Sequence, residues 1–192
     1  VIFLTWDELN KLKACNIPQN KQYLERVRDV FLFCCFTGLR YSDVYNLRTS
    51  DVKADHIEIT TVKTADSLVI ELNNHSKAIL EKYKDVHFEG NKVLPVISNQ
   101  KYNKHLKELG KLAELKGEWI DYQYKLEKVE EVKTPKSDLT SHTARRTFVV
   151  TALNEGIELD LIAQITSHSD VEVMRPYIAS TRKGKQKVSE YT

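Results

Sequence analysis

The sequence predicts a mainly α-helical fold with one small antiparallel β-sheet, that is, an α+β domain. In most segments apolar residues recur at three- and four-residue steps, which is typical of helices with one buried face. Two neighbouring segments, His56 to Thr60 and Ser67 to Leu72, instead alternate polar and apolar residues as strands do. With 192 residues, 41% of them apolar, the chain can bury the core of one domain without disulfides or a metal ion.

Two helices are predicted ahead of the strands. Thr5 and Glu8 have the spacing of a capping box, which begins a helix from about Trp6 to Ala14. The segment from Lys21 to Phe36 is apolar along one face and nearly all round at its end, and Gly38 follows it as a typical helix stop. We therefore expect this segment to be the central core helix.

The next elements place two basic residues at defined points of the fold. A third helix is predicted from Leu39 to Leu47, so Arg40 lies at the junction between two helices. Lys63 falls between the two predicted strands and therefore lies near the tip of their hairpin.

The second half of the chain is again predicted to be helical, with one exception. Glu118 to Lys136 is charged and low in periodicity, and we expect an irregular or β-hairpin insertion there. The predicted helices run from Asn73 or Asn74 to Lys84, from Ser98 or Asn99 to Leu115, from Thr140 or Ser141 to Asn154, from Leu159 to Ile165, and as a further turn over Asp170 to Met174.

Composition limits the class of protein. The 29 basic and 27 acidic residues leave a net charge of +2, so a DNA-binding face would have to come from local segregation of charge. The 3 cysteines include two adjacent ones in an apolar run, which favours core positions in a reduced, cytoplasmic protein over a disulfide framework or zinc site. The apolar runs are too short for a membrane span, and the N-terminus lacks the features of a signal peptide. Because the chain starts at Val1 without an initiator Met, we expect a fragment whose N-terminal partner domain is missing.

The stretch from Asp138 to Tyr177 contains most of the residues from which a function can be argued. His142 and Arg145 are three apart at a predicted helix start, so both side chains lie on one face near the positive helix end, where a phosphate binds well. His168 falls in a loop, and Tyr177 follows nine residues later.

Together with Arg40 and Lys63, these residues suit the cleavage of a phosphodiester without a metal ion. The phosphate gains negative charge in the transition state, so two arginines can stabilise its non-bridging oxygens. Lys63 can donate a proton to the departing oxygen, and the Tyr177 hydroxyl can form a phosphotyrosine that preserves the bond for rejoining. Each residue alone is more simply a surface ion pair, an exposed lysine, a helix cap, a loop residue or a packing tyrosine. Only the set carries the hypothesis.

The order and spacing of the set resemble the tyrosine recombinases, the lambda-integrase-like family. The shared pattern is Arg in TGLRYSD, Lys between two strands in TVKTADSLVIEL, H-x-x-R opening a helix, His in a loop and Tyr nine residues on. FLTWDEL is similar to the usual opening of that family's catalytic domain, so the resemblance covers nearly the whole chain. SNQKYNKHLKELGKLAEL and HTARRTF are similar to integrases of Bacteroidetes mobile elements.

The resemblance implies a C-terminal catalytic domain over residues 1–192, with the tyrosine recombinase fold. It implies site-specific DNA recombination through a 3′-phosphotyrosine intermediate, with no metal, ATP or other cofactor. The catalytic residues that it implies are Arg40, Lys63, His142, Arg145, His168 and Tyr177, and the DNA-binding residues are Arg40, Lys63, Arg145 and Arg146. Asp43 matches an acidic residue of the family that would orient the Arg40 guanidinium.

The resemblance also implies the partners and the location. Double-stranded DNA is the expected partner, with a tetramer on paired recombination sites, a monomer in the absence of DNA, and an accessory DNA-bending protein as a further partner. No membrane association is expected. The protein would therefore be bacterial, cytoplasmic and associated with the nucleoid.

Two departures from the family pattern bear on the site. Ser167 stands where the family usually has Gly before the second histidine, and at positive φ a serine costs on the order of 1 kcal/mol and would shift His168. Pro176 precedes Tyr177 and disfavours helical geometry at Arg175, so the tyrosine segment should break or restart there.

Three alternatives stay open. A type IB topoisomerase shares the chemistry but relaxes DNA as a monomer, so a tetramer on paired sites would distinguish the two. In a non-catalytic helical DNA-binding regulator, Arg40 and Arg145 would only hold phosphate, and Tyr177→Phe would change nothing. A metal-dependent nuclease ranks last, because no carboxylate cluster with ligand spacing stands near the histidines.

Overall fold

The computed structural model describes residues 1–63, 65–125, 128–167, 175–178 and 181, which form a mainly helical fold with two small antiparallel sheets. The helices are α1 Trp6–Ala14, α2 Tyr23–Thr37, α3 Tyr41–Asn46, α4 Asn74–Tyr83, α5 Asn99–Leu112, α6 Ser141–Asn154, α7 Leu159–Ile165 and α8 Arg175–Ile178. The strands are β1 His56–Thr60, β2 Ser67–Glu71, β3 Glu118–Lys125 and β4 Lys128–Pro135. The predicted fold class is therefore confirmed.

Helix α2 lies at the centre of the core, as the sequence predicts. Its last turns are covered on every side, since Phe31, Phe33, Cys34 and Cys35 are each 4% exposed or less. Helices α1, α3, α4, α5 and α6 all contact it. A helix that is apolar nearly all round can be stable in water only when its neighbours enclose it in this way.

A buried carboxylate joins α2 to α4. Asp29 is 6% exposed, and its Oδ2 accepts hydrogen bonds from Lys82 Nζ at 2.6 Å and from the Tyr83 hydroxyl at 2.7 Å. Burial, followed by the bond to Asp29, raises the pKa of Tyr83, so its hydroxyl stays protonated as a donor. These partners compensate the desolvation of the Asp29 charge.

The first hairpin carries Lys63 in its turn, and the second hairpin is tied to the N-terminal segment. In the first, β1 pairs with β2 from His56 opposite Glu71 to Thr60 opposite Ser67, so Lys63 lies in the connecting turn as predicted. The segment predicted as irregular or hairpin is the β3–β4 hairpin. Trp119 at its base is 8% exposed and donates from Nε1 to the Phe3 carbonyl at 3.1 Å, which ties the hairpin to the N-terminal segment.

Most helix boundaries agree with the sequence, and the exceptions have local causes. Helix α5 ends at Leu112 rather than Leu115, because Glu114 takes a positive φ of 51° and cannot continue the helix. Helix α2 begins at Tyr23 rather than Lys21, since a 3-10 turn over Gln19–Lys21 precedes it. Helix α3 spans Tyr41–Asn46 rather than Leu39 to Leu47, because Arg40 has an extended backbone conformation. The turn predicted over residues 170–174 lies outside the described residues.

The end of α2 meets α6 at a glycine, and this contact positions the candidate site. Gly38 caps α2 with φ +72°, and an added Cβ would lie 2.6 Å from Phe148 Cδ1. The absence of a side chain thus allows α6 to approach the C-terminal end of α2. Arg40 follows two residues after Gly38, while Arg145 precedes Phe148 by one turn of α6, so the same contact fixes the relation between the two arginines.

We expect Gly38→Ala to lower the free energy of unfolding by about 1–3 kcal/mol more than Gly90→Ala, because only the first adds overpacking to backbone strain. Gly90 is a matched control: its φ is +71° and an added Cβ meets nothing within 4 Å. Urea denaturation of both variants measures the difference. Equal losses would show that Phe148 moves aside without cost.

Candidate active site

Two side chains, one from α6 itself and one from α5, hold the start of α6 by hydrogen bonds. The Thr140 amide donates to Thr143 Oγ1 at 3.1 Å, and the Ser141 amide donates to Asn103 Oδ1 of α5 at 2.9 Å. Amides at a helix start have no partner within the helix, so these bonds fix where α6 begins. His142 and Arg145 consequently project from a rigid turn.

Arg145 is a buried cation. Arg145 is 9% exposed, and its Nη1 donates to the Gly38 carbonyl at 3.0 Å. Burial, and after it the charge of Arg40, lowers the pKa of Arg145 to about 10, while Asp43 and Tyr177 act in the opposite direction. The guanidinium therefore stays charged at neutral pH. Its Nη2 is buried and has no hydrogen-bond partner among the described residues.

Arg40 lies at the N-terminal end of α3 and is partly buried. Its Nη2 donates to the Ser167 carbonyl at 3.3 Å, and its Nη1 is buried without a partner in the described part of the chain. Ser167 has a φ of +44°, so the serine does take the conformation that favours glycine. The orientation of Arg40 thus depends on a strained residue from the loop after α7.

The Asp43 carboxylate hydrogen-bonds to the Lys63 turn and not to the Arg40 side chain. The Asp43 carboxylate is buried, and its Oδ1 accepts a hydrogen bond from the Val62 amide at 3.0 Å. Within the described residues no ion pair joins Asp43 to either Arg40 or Arg145. The orienting role that the resemblance implies for Asp43 stays a prediction, and the contact to Val62 is an unexpected one.

Four of the predicted site residues line one cleft of about 560 Å³. They are Arg40, Lys63, His142 and Arg145, which come from α3, the β1–β2 turn and α6. Two buried guanidinium N–H groups have no partner in the part of the chain that the structure describes, and a bound anion can remove the free-energy penalty that this carries. The cleft is therefore suited to an oxyanion with several oxygens, such as a phosphodiester.

His142 is exposed on the first turn of α6, yet its pKa is changed by partial desolvation and by nearby cations. Partial desolvation lowers the pKa of His142, as do the charges of Arg146, Arg145, Lys63 and Arg40. A lowered pKa keeps the imidazole neutral at pH 7, where it can accept a proton. Arg146 is partly buried and is not among the residues that line the cleft.

Tyr177 lies outside the lining of the cleft but within electrostatic reach of Arg145. It belongs to the short helix α8, which starts at Arg175, the residue before Pro176. The partly buried ring packs against a cluster formed by α6 and α7, including Val149 and Ile162. His168 lies outside the described residues, so the structure brings together five of the six predicted catalytic residues in one region.

Sequence reasoning missed several polar residues of the cleft. Tyr45 is 36% exposed, with Lys92 Nζ 3.4 Å from its ring centre, and Ser98, Asn99 and Ser141 line the same cleft. The sequence singles out these last three only as helix caps. Their position at helix starts is the signal that could have indicated an anion site, since helix N-termini attract phosphates.

The sequence of this chain is similar to those of known protein families and proteins. The model of the phage integrase family matches residues 3–183. The chain belongs to the phage integrase family. The tyrosine recombinase XerC of Roseiflexus castenholzii is 25% identical over 164 residues, which are 84% of this chain and 50% of that protein. XerD of Oceanobacillus iheyensis is 25% identical over 93% of this chain and 58% of its own length. The chain thus spans about half the length of these curated relatives.

Two solved structures, of an integrase and of a recombinase, have the same fold. The catalytic domain of bacteriophage HP1 integrase has a TM-score of 0.62 at 16% identity, covering 100% of this chain and 95% of that chain. XerA recombinase has a TM-score of 0.70 at 16% identity, covering 100% of this chain and 65% of that chain. Among the described residues, no helix of this family member is long and apolar enough to cross a membrane.

We expect Ser167→Gly to raise the free energy of unfolding by about 0.5–1 kcal/mol, because relief of the positive-φ strain exceeds the entropy that glycine loses on folding. Ser167→Ala is the matched control, since it removes only the hydroxyl, which is buried without a partner among the described residues. Thermal unfolding of both variants tests this. Destabilisation by glycine would mean that the serine is not strained.

Proposed function

We propose that this chain is the catalytic domain of a site-specific DNA recombinase. It cleaves and rejoins double-stranded DNA through a 3′-phosphotyrosine intermediate, without metal or ATP. The proposal is supported by the convergence of Arg40, Lys63, His142 and Arg145 on one cleft, where two guanidinium groups each have a buried N–H without a partner among the described residues. Membership in the phage integrase family and the recombinase relatives support the reaction class.

The arginines act on the charge that develops at phosphorus. The Tyr177 oxygen attacks phosphorus, the P–O bond to the 5′ oxygen breaks, and the pentacoordinate transition state between them carries extra negative charge on the non-bridging oxygens. Arg145 is already fixed through Nη1 by the Gly38 carbonyl, so its Nη2 is oriented before substrate binds. Preorganised donors stabilise the transition state without a reorganisation cost.

Proton transfer is divided between the remaining residues. Lys63 donates a proton to the departing 5′ oxygen, and the neutral His142 assists by accepting the proton of the Tyr177 hydroxyl. The lowered pKa of His142 favours this role near pH 7. His168 assists phosphate binding and proton transfer, as the family resemblance implies, and Arg146 adds a DNA contact beside the site.

The wider assignments rest on the resemblance. The domain would be the C-terminal part of a longer protein, whose N-terminal domain completes a clamp around the duplex. It would act as a tetramer on paired sites, assisted by a DNA-bending protein, in the bacterial cytoplasm at the nucleoid. The stretches Ser98 to Leu115 and His142 to Phe148 support an origin in a Bacteroidetes mobile element.

One experiment tests the proposal directly. A nicked duplex carrying the end of the mobile element, from which the cleaved 5′ strand diffuses away, traps the covalent intermediate with the full-length protein. The proposal expects an adduct in the presence of EDTA. A non-catalytic DNA-binding regulator would give no adduct. No observation specifically favours a regulator or a topoisomerase.

We expect Tyr177→Phe to abolish this adduct while leaving the free energy of unfolding within about 0.5 kcal/mol of the original. The ring remains packed against α6 and α7, and only the nucleophilic oxygen is lost. Tyr122→Phe is the control, since Tyr122 is 65% exposed on the β3–β4 hairpin. An adduct that persists in Tyr177→Phe and maps to another residue rejects the nucleophile.

We expect Lys63→Ala to slow cleavage of ordinary DNA by about 10²–10⁴-fold, because the 5′ oxygen then leaves without a proton. Sulfur in the 5′ bridging position is a much better leaving group, so this substrate should restore the rate. Arg145→Ala is the control: it loses about 10²–10³-fold as an oxyanion donor does, and sulfur should not rescue it. Without rescue, Lys63 would hold phosphate instead.

A further inference from the structure

The two carboxylate oxygens of Asp43 have different surroundings. Asp43 is 4% exposed on the first turn of α3, with Oδ1 accepting from the Val62 amide and Oδ2 buried without a partner among the described residues. The contact from Oδ1 spans 19 residues of sequence and connects a helix to the β1–β2 turn. The hydrogen bond that the Asp43 carboxylate accepts therefore comes from the turn.

The turn is closed by its own hydrogen bonds. The Thr61 amide donates to the Asp66 carbonyl at 2.9 Å, the Asp66 amide donates to Thr61 Oγ1 at 3.1 Å, and the Ala65 amide donates to the Thr61 carbonyl at 3.1 Å. These bonds define the shape of the turn but not its position relative to the helices. The Val62 side chain is 59% exposed, so it contributes little packing that would fix this position.

Lys63 follows Val62 directly and depends on where the turn lies. Its side chain is exposed and reaches the cleft that Arg40, His142 and Arg145 also line. A lysine has a flexible four-carbon side chain, so delivery of its ammonium group to one oxygen requires a fixed backbone. Misplacement of a catalytic group by about 1 Å can cost 10²-fold in rate.

We propose that Asp43 is a positioning residue for Lys63: its carboxylate holds the Val62 amide, and thereby keeps the turn in the place from which Lys63 reaches the cleft. This inference rests on the proposed function, in which Lys63 is the proton donor. It differs from an orienting role toward Arg40, since it predicts that loss of Asp43 resembles loss of Lys63 and not loss of an arginine.

The position of the turn can be measured without DNA, through His142. The cations that act on this histidine are Arg146, Arg145, Lys63 and Arg40. Removal of the Asp43 anion would by itself lower the pKa of His142 further, whereas release of Lys63 from the cleft would raise it. The sign of the change therefore separates a direct effect of charge from movement of the turn.

NMR titration of Asp43→Ala, Asp43→Asn and Lys63→Ala is the first test. The pKa of His142 should rise in Asp43→Ala, by less than in Lys63→Ala because the lost anion acts in the opposite direction, and the Val62 amide should exchange faster with solvent. Asp43→Asn loses the same charge but keeps an acceptor oxygen for Val62, so the pKa of His142 should not rise and the Val62 amide should stay protected. A fall in the pKa of His142, or unchanged Val62 exchange in Asp43→Ala, overturns the proposal.

Cleavage kinetics of the full-length protein are the second test. With the nicked element-end duplex, Asp43→Ala should be at least 10-fold slower than the original protein, and 5′ bridging sulfur should restore its rate as it does for Lys63→Ala. The double variant should be no slower than Lys63→Ala alone. Asp51→Ala is the control, because Asp51 also accepts a backbone amide, that of Arg48 at 2.9 Å, away from the cleft.

The outcomes separate this inference from the proposed function. If sulfur rescues Lys63→Ala but not Asp43→Ala, Asp43 acts through the arginines and the inference is wrong. If no protein, including the original, forms an adduct, the proposed recombination is contradicted, while the NMR titration still decides whether Asp43 holds the turn. Rescue of both variants, together with the rise in the pKa of His142, supports the inference.

Discussion

The hydrogen bond from Arg145 to the Gly38 carbonyl connects the two helices on which the site depends. It joins the end of the central core helix to the first turn of α6 across a buried interface. A guanidinium that is 9% exposed must find acceptors, and Gly38 supplies only one of them. The Nη2 group is buried and has no partner among the described residues, so it can donate to a bound anion. This one hydrogen bond therefore links the packing of α6 on α2 to the orientation of the Arg145 guanidinium.

The proximity of Arg40 and Arg145 explains how a nearly neutral chain can have a cationic site. The net charge is only +2, but Arg40 lies close enough to Arg145 for its charge to lower the pKa of Arg145. Asp43 compensates part of this repulsion, while its hydrogen bond is directed to Val62. Local arrangement rather than composition therefore produces the positive potential, as expected for a site that stabilises charge in a transition state.

The sequence predicted the features that depend on local patterns. Helix α1 and helix α7 have the predicted bounds, because a capping box and short-range periodicity determine them. Features that depend on distant partners were not predictable. The bond from Asp43 to Val62 uses a backbone amide, which no residue type reveals, and the burial of Asp29 depends on Lys82 and Tyr83 from another helix.

Several departures from ordinary stability rules lie at or beside the cleft. Ser167 has positive φ, Arg40 and Arg145 each have a buried N–H without a partner, and Asp43 has one such oxygen, all within the described residues. Each of these features costs free energy in the unliganded protein. Elsewhere buried charges such as Asp29 are satisfied. Because two of the groups named above are guanidinium N–H donors, a ligand with several negatively charged oxygens would relieve them, which agrees with a phosphodiester substrate.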